Sequence, residues 1–372
     1  MRGLHFDLHG LSLSLEAADE NLWDFMREQF EAEEGPNAEA VIGIRAAWRY
    51  GGEGERLALR STPGGPGEER LGRGLSVARD ADGEPRVLWT RVPDFPELEM
   101  AFRIDGERYS RLSVTANCTY VPRGLGRKLE YMRQGRADRK RNRLFFKLMY
   151  FLVYYPMAWM LERNRGWGLL HASAVVLPSG RTVVLSGLGG VGKSTLGLAL
   201  LSRPGARLVS DNLMFHDEER IYACPEPVRL DAEALEGMGA GMAPERTGLP
   251  ATAHPKPTYR VGPARRAVTG RPSALCFLRF APKPDLIDVA PSRAAQMLSA
   301  VSDLAREIKD YRPCSALLTL LAAERGGPPP QPRADLECLL RGTPCSIVHI
   351  GEEESVSSTA ERLARHVEAL AS

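Results

Sequence analysis

The sequence predicts an α/β domain built on a phosphate-cradling loop and preceded by a smaller β-rich α+β domain. Three observations carry that expectation. Gly187-Leu188-Gly189-Gly190-Val191-Gly192-Lys193-Ser194 fits the pattern G-x-x-x-x-G-K-[ST]. The loop is flanked by a β-prone run, Thr182 to Ser186, and by a helix-like run from Thr195 to Leu201, the strand–turn–helix context such a loop requires. The first third of the chain instead carries short alternating runs broken by loops rich in Gly, Pro, Glu and Asp.

In chain order, Gly3 to Leu15 alternates apolar and polar residues like a strand. Ala17 to Phe30 places Leu22, Phe25 and Met26 at helical spacing, with Asp19 or Asn21 available as the N-cap. Strand-like runs follow at 40–48, 86–90, 98–104 and 112–117. No His, Cys or paired-carboxylate spacing in this part suggests catalysis. The expected domain boundaries are 1–122 for the α+β domain, 123–147 for a basic connector and 148–372 for the P-loop domain.

The connector holds Arg127, Lys128, Arg133, Arg136, Arg139, Lys140, Arg141, Arg143 and Lys147 against only Glu130 and Asp138. A run of this kind is either a solvated helix face or the footprint of an anionic partner. The apolar run 145–161 is interrupted by Lys147 and Pro156 and falls short of the roughly 20 residues a bilayer needs, so a buried helix is expected and no membrane partner. Leu169 to Leu177 reads as a strand with His171 near its start. Ser179-Gly180 then gives a turn, so a hairpin is expected in front of the loop.

A loop of this type works through converging backbone N–H groups and the positive end of the following helix. Gly187, Gly189, Gly190 and Gly192 permit the path with Val191 between them. Lys193 would pair the phosphates, Ser194 would hold Mg²⁺, and Thr195 continues the cradle into the helix. Gly205 to Phe215 reads as a strand with Asp211 in its middle, 18 residues after Lys193. Phosphoryl transfer needs a carboxylate to hold the metal or to accept a hydroxyl proton, and Asp211 is spaced for either. Transporter ATPases and common GTPases place that acid later in the chain. Arg229, and Arg260, Arg265 and Arg266 further on, are candidate anion contacts. Ala274 to Phe280 and Cys345 to Ile350 read as strands, and 294–309, 313–323 and 357–370 as helices.

Composition is that of a soluble globular protein: 372 residues, 43% hydrophobic, 26% charged, formal charge +2. The N-terminus has no apolar core of signal-peptide length, and the expected location is cytoplasmic. Six scattered cysteines without C-x-x-C or Cys/His spacing argue for reduced thiols rather than disulfides or zinc.

Leu170-His171-Ala172-Ser173-Ala174-Val175, the loop 187–194 and Val209-Ser210-Asp211-Asn212 resemble, in order and spacing, the catalytic domain of bacterial HPr kinase/phosphorylase, whose fold is shared with phosphoenolpyruvate carboxykinase. The chain looks like an HPr kinase-related protein, most similar to the kinase B group. The resemblance is specific over about 169–229. It implies an ATP- and Mg²⁺-dependent kinase in which Lys193 and Ser194 bind phosphates and metal, Asp211 is the general base, Asp211 and Asn212 are metal candidates, and His171 lies beside the transferring phosphate. A serine of a small protein or peptide is the implied acceptor. A small-molecule kinase and a nucleotide-binding regulatory module stay open, as does a homo-oligomeric state. Three departures stand out: Asn212 where the family has a second acid, Thr195 where a glutamate is common, and no signature of the reverse, phosphate-removing reaction.

Overall fold

The computed structural model describes residues 2–30, 33–34, 40–51, 53–59, 68–79, 83–105, 110–121, 134–231, 245–324, 326 and 333–370. It is a mixed α/β protein with several sheets. The chain divides into two compact units, one of residues 1–160, 249–254 and 310–330, the other of 161–248, 255–309 and 331–372.

The first unit contains a nine-stranded sheet among the described residues. The strands are β1 (Arg2–Leu8), β2 (Leu11–Ala17), β3 (Glu33–Glu34), β4 (Ile42–Tyr50), β5 (Glu69–Gly72), β6 (Leu75–Arg79), β7 (Pro85–Trp89), β8 (Leu98–Asp105) and β9 (Arg111–Tyr120), in the order β3-β1-β2-β4-β9-β8-β7-β6-β5. The expected single strand at 3–15 is a hairpin. His9 and Gly10 both take positive φ, 49° and 71°, so the chain reverses there, and the apolar alternation shifts phase from Leu4, Phe6 and Leu8 to Leu11, Leu13 and Leu15. Helix α1 (Glu20–Phe30) is capped by Asp19, whose Oδ1 accepts from the Leu22 N–H at 2.9 Å. It crosses to β4, which lies parallel to β2.

Helix α2 (Gln134–Met149) continues through a π-turn (Tyr150–Tyr154) into α3 (Tyr155–Arg165). The turn sits just before Pro156, where the Tyr155 N–H reaches back to Tyr150 O, so the proline is absorbed by a local change of winding. Residues 138–165 are long and apolar enough to cross a bilayer, contrary to the length argument from sequence, and 89% of the apolar window is buried inside the protein. Phe145 packs edge-on to Phe25 and Trp48, and Gln29 donates to the Tyr154 hydroxyl at 2.8 Å. Of the basic stretch, residues 123–133 and the side chains of 134–137 lie outside the described residues. Three cations beyond them are engaged within the unit: Lys140 pairs with Glu97, Arg141 with Asp138, and Lys147 donates to Asp94 O at 2.6 Å over the Phe95 ring.

The second unit holds the glycine loop. A six-stranded sheet is built from β11 (Ser173–Val176), β12 (Thr182–Ser186), β13 (Arg207–Ser210), β20 (Pro272–Ala281), β21 (Asp285–Val289) and β22 (Cys345–Gly351), ordered β13-β11-β12-β20-β22-β21, with β12, β20 and β22 parallel. A four-stranded sheet comprises β10 (Gly168–His171), β14 (Leu213–His216), β15 (Ile221–Ala223) and β19 (Thr269–Gly270). The short strands β16 (Val228–Arg229), β17 (Glu245–Arg246) and β18 (Thr258–Arg260) form a third. Helix α4 (Lys193–Leu201) covers one face of the six-stranded sheet together with the C-terminal α8 (Val356–Ala369). Helix α5 (Pro291–Leu304) and the short α7 (Leu336–Leu339) pack on the other face.

The expected β11–β12 hairpin is present. The expected strand at 169–177 is instead two, broken at Ala172. The expected strand at 205–215 is also two, β13 and β14, because Asn212 takes φ 79° and turns the chain. Asp211 is therefore a turn residue rather than mid-strand. The helices expected at 294–309 and 313–323 are α5 and α6 (Arg306–Glu324). The break falls at Ala305, which is extended, and Pro313 lies inside α6. Among the described residues the cysteines are all free, and all but Cys338 are buried.

Candidate active site

Two chain segments change sheets at the same level. The first passes from β10 to β11 through His171-Ala172, the second from β13 to β14 through Asp211-Asn212, and the Ala172 N–H donates to Asn212 O at 3.1 Å. Lys193 at the start of α4 lies within electrostatic reach of both His171 and Asp211, and Ser194 bonds to Asp211, so the four come together from three places in the sequence.

The loop follows from its glycines. Gly187, Gly190 and Gly192 take φ of 137°, 83° and 93°, a region costly for any residue with a Cβ. At Gly187 a Cβ would also sit 2.9 Å from Leu278 O of the neighbouring strand. Gly192 is the left-handed N-cap of α4, and Leu188, Gly189 and Gly190 are exposed. The first amides of α4 have no acceptor within the helix and carry its positive dipole end. Val191 and half-buried Ser194 and Thr195 continue from the loop into α4.

Lys193 is buried, 8% exposed, and its ammonium donates to Gly187 O at 2.8 Å and Leu188 O at 3.1 Å. Burial lowers its pKa, opposed by the nearby Asp211 and Glu307 carboxylates. Asp211 is 5% exposed and its Oδ1 is buried without a hydrogen-bond partner. Burial raises its pKa. The Ser194 hydroxyl, Arg229, the Ser173 hydroxyl and Lys193 pull the other way. His171 is held neutral, its pKa pushed down to about 4 by burial and then by Lys193, and its Nδ1 is a second orphaned buried atom. Ser186 Oγ, at the end of β12 directly before the loop, is a third. An orphaned buried polar atom costs about 1–3 kcal/mol. Three of them around one glycine loop are the mark of a site shaped for something other than stability.

Asn212 is fixed by Glu226, whose Oε2 accepts from Asn212 Nδ2 at 2.9 Å and from the Leu213 N–H at 3.2 Å. Ser210 Oγ completes the clamp, donating to Leu213 O at 2.5 Å and accepting the Cys224 N–H at 3.1 Å. The turn that carries Asp211 is thus pinned from the segment 224–226.

Among the other sequence candidates, Arg229 belongs to the cluster, where it pairs with Glu307 at 3.6 Å with both side chains largely buried. Its charge holds the Glu307 carboxyl below its ordinary value. Arg265 and Arg266 do not join it. Arg265 donates to Leu201 O at the far end of α4, and Arg266 Nε to Val261 O at 2.7 Å. Arg260 lies on β18, across from Glu245. Glu307, Glu226 and Ser173 were not anticipated. Ser173 and Glu226 lay beside singled-out residues, but nothing local marks Glu307, which reaches the site only through the fold.

The donor set fits a hard divalent cation: a buried carboxylate oxygen without a partner, the Ser194 hydroxyl, and the Asn212 carbonyl, whose amide nitrogen is committed to Glu226. Among the described residues no cluster of three His, Cys, Asp or Glu side chains forms a metal cage by itself. The set therefore suits a cation that takes its remaining ligands from water and phosphate.

No protein-family model matches this chain, and no curated protein matches it in sequence. Among solved structures, the Hpr(Ser) kinase/phosphatase from Coxiella burnetii is similar over 54% of this chain and 97% of its own, with 11% identity and a TM-score of 0.27. A likeness that slight carries no argument about what this chain does, so its function is read from the residues around the glycine loop.

Proposed function

We propose that this protein is a nucleoside-triphosphate-dependent kinase that transfers the γ-phosphate of ATP to a hydroxyl, with Mg²⁺, and that the acceptor is a serine of a small protein or peptide. The observation that carries the reading is the orphaned Oδ1 of buried Asp211 beside Lys193 and Ser194, at the N-terminus of a helix that follows a strand and a glycine turn.

The phosphates lie on the loop amides and the dipole end of α4, and Lys193 exchanges its two carbonyl contacts for phosphate oxygens. Asp211, Ser194 and Asn212 Oδ1 are the residues that would hold Mg²⁺, which would supply charge neutralisation for the phosphoryl group. Asp211 takes the proton of the attacking hydroxyl. In the metal-free protein burial raises its pKa above that of an exposed carboxylate. Neutral His171 and the Arg229–Glu307 pair, grouped with Lys193 and Asp211, would position the acceptor without adding net charge. Little else is required, since phosphoryl transfer is mainly positioning and charge neutralisation.

Asn212 favours a second reading, a nucleotide-binding regulatory module without transfer, because a turn that carries two acids in the resembling family carries one here. One experiment separates the two. Labelled γ-phosphate from ATP with Mg²⁺ is followed in extract of the native cell for wild type, Lys193→Ala and Asp211→Asn. A labelled protein band lost in both variants, with ATP binding kept in Asp211→Asn, supports the kinase. ATP binding without transfer in wild type supports the regulatory module, and label only in small molecules points to a metabolite acceptor.

A further inference from the structure

The C-terminal end of β20 carries a large apolar side chain that neither core of the second unit takes up. Phe280 is 68% exposed, and no ring or cation partner is found for it among the described residues. Leu278, two residues earlier, is buried and belongs to the same apolar cluster as Val191 of the glycine loop. Alternation along the strand puts Phe280 on that same sheet face, roughly 7 Å further out. The loop and Phe280 are neighbours by register. Strands β12 and β20 run parallel with Ser186 beside Phe277, so the chain leaves β12 at the level of Leu278, whose carbonyl crowds Gly187. On the loop itself Leu188 is 58% exposed.

One exposed apolar residue is ordinary on a protein surface. Two large ones, one on a phosphate-cradling loop and the other an exposed aromatic at the end of the strand beside it, make a platform for a flat ring. The phosphate end and the ring end of a nucleotide are separated by a ribose, which matches a loop with its apolar shelf displaced outward along the next strand.

We infer that Phe280, with Leu188 as a second contact, takes the purine ring of the nucleotide whose phosphates the loop holds. This rests on the nucleotide reading above, and its test keeps the two apart. Binding of ATP and of inorganic tripolyphosphate, each with Mg²⁺, is measured calorimetrically on the full chain as wild type, Phe280→Ala and Phe280→Trp. Phe280→Ala is expected to bind ATP about tenfold more weakly, the loss typical of one stacked base, and tripolyphosphate as wild type does. Phe280→Trp is expected to keep ATP affinity and to have its emission quenched by ATP but not by tripolyphosphate. Equal ATP affinity of wild type and Phe280→Ala, with tripolyphosphate still bound, would overturn the platform and leave the loop assignment standing. A wild type that binds neither would overturn both.

Discussion

Replacing Gly197 by alanine is expected to change stability in opposite senses in two backgrounds. Gly197 lies in the middle of α4, where alanine is favoured over glycine by about 1 kcal/mol. A Cβ there would stand 2.7 Å from Ser173 Oγ of β11, while its next contacts, Ser173 Cβ at 3.7 Å and Leu185 Cδ1 at 3.9 Å, are ordinary. Ser173 is 1% exposed, so its hydroxyl has little room to yield, and overpacking of this kind costs about 1–3 kcal/mol. In wild type the two effects leave Gly197→Ala between neutral and about 2 kcal/mol destabilising. In a Ser173→Ala background the offending atom is gone, and the same change is expected to stabilise by about 1 kcal/mol. Urea midpoints of the four proteins, with their slopes, give the coupling directly. A Gly197→Ala effect equal in both backgrounds within about 0.5 kcal/mol would refute the seating of α4 on Ser173.

Three further outcomes are expected. His216 is neutral in the fold, its pKa pushed down to about 4 chiefly by burial, against an ordinary 6.5, so the unfolded chain binds the extra proton. Stability from this group is full above pH 6.5 and lost as pH falls towards 4. Between pH 7.5 and 5 wild type should lose about 2 kcal/mol more than His216→Leu in urea unfolding, and parallel pH profiles would contradict this. Gly168→Ala would place a Cβ 2.1 Å from His216 Nε2, and should cost about 3 kcal/mol or more by displacing a buried ring, read as a thermal shift of several degrees. Glu226→Ala removes the clamp on the Asp211-Asn212 turn and should lower transfer at saturating ATP at least tenfold, while ATP affinity changes less than threefold, since the phosphate-binding residues lie elsewhere. Equal loss of both would mean that Glu226 merely holds the fold.

The glycine loop, its strand and its helix were legible because backbone geometry there is dictated by residue type: glycines at positive φ, then an uninterrupted apolar helix. Asp211 and His171 stood out by residue type and spacing, but their backbone setting did not. Both were expected on continuous strands, whereas the chain breaks at Ala172 and at Asn212, and a change of sheet leaves no periodic signal. The hairpin turn at His9-Gly10 did leave a trace, a change of phase in the apolar alternation from Leu4, Phe6 and Leu8 to Leu11, Leu13 and Leu15, which a single-strand reading passes over. Strand β5 carries one apolar residue, Leu71, and does not stand out in the sequence; it pairs with β6, which pairs in turn with β7. Glu307 was unreadable because it lies on α6 and its role is set by Arg229, on the distant strand β16.

The tie between Ala172 and Asn212 has a kinetic side. Each half of the site is carried by a segment that belongs to two sheets at once, so neither half exists until both sheets have formed and met. Such non-local closure falls late in folding, after the local hairpin β11–β12 has offered its edge. The meeting of His171 with Asp211 should therefore come as a single late event during refolding rather than grow with secondary structure. The Ala172 amide, which closes the junction, should exchange with solvent only when the second unit opens as a whole.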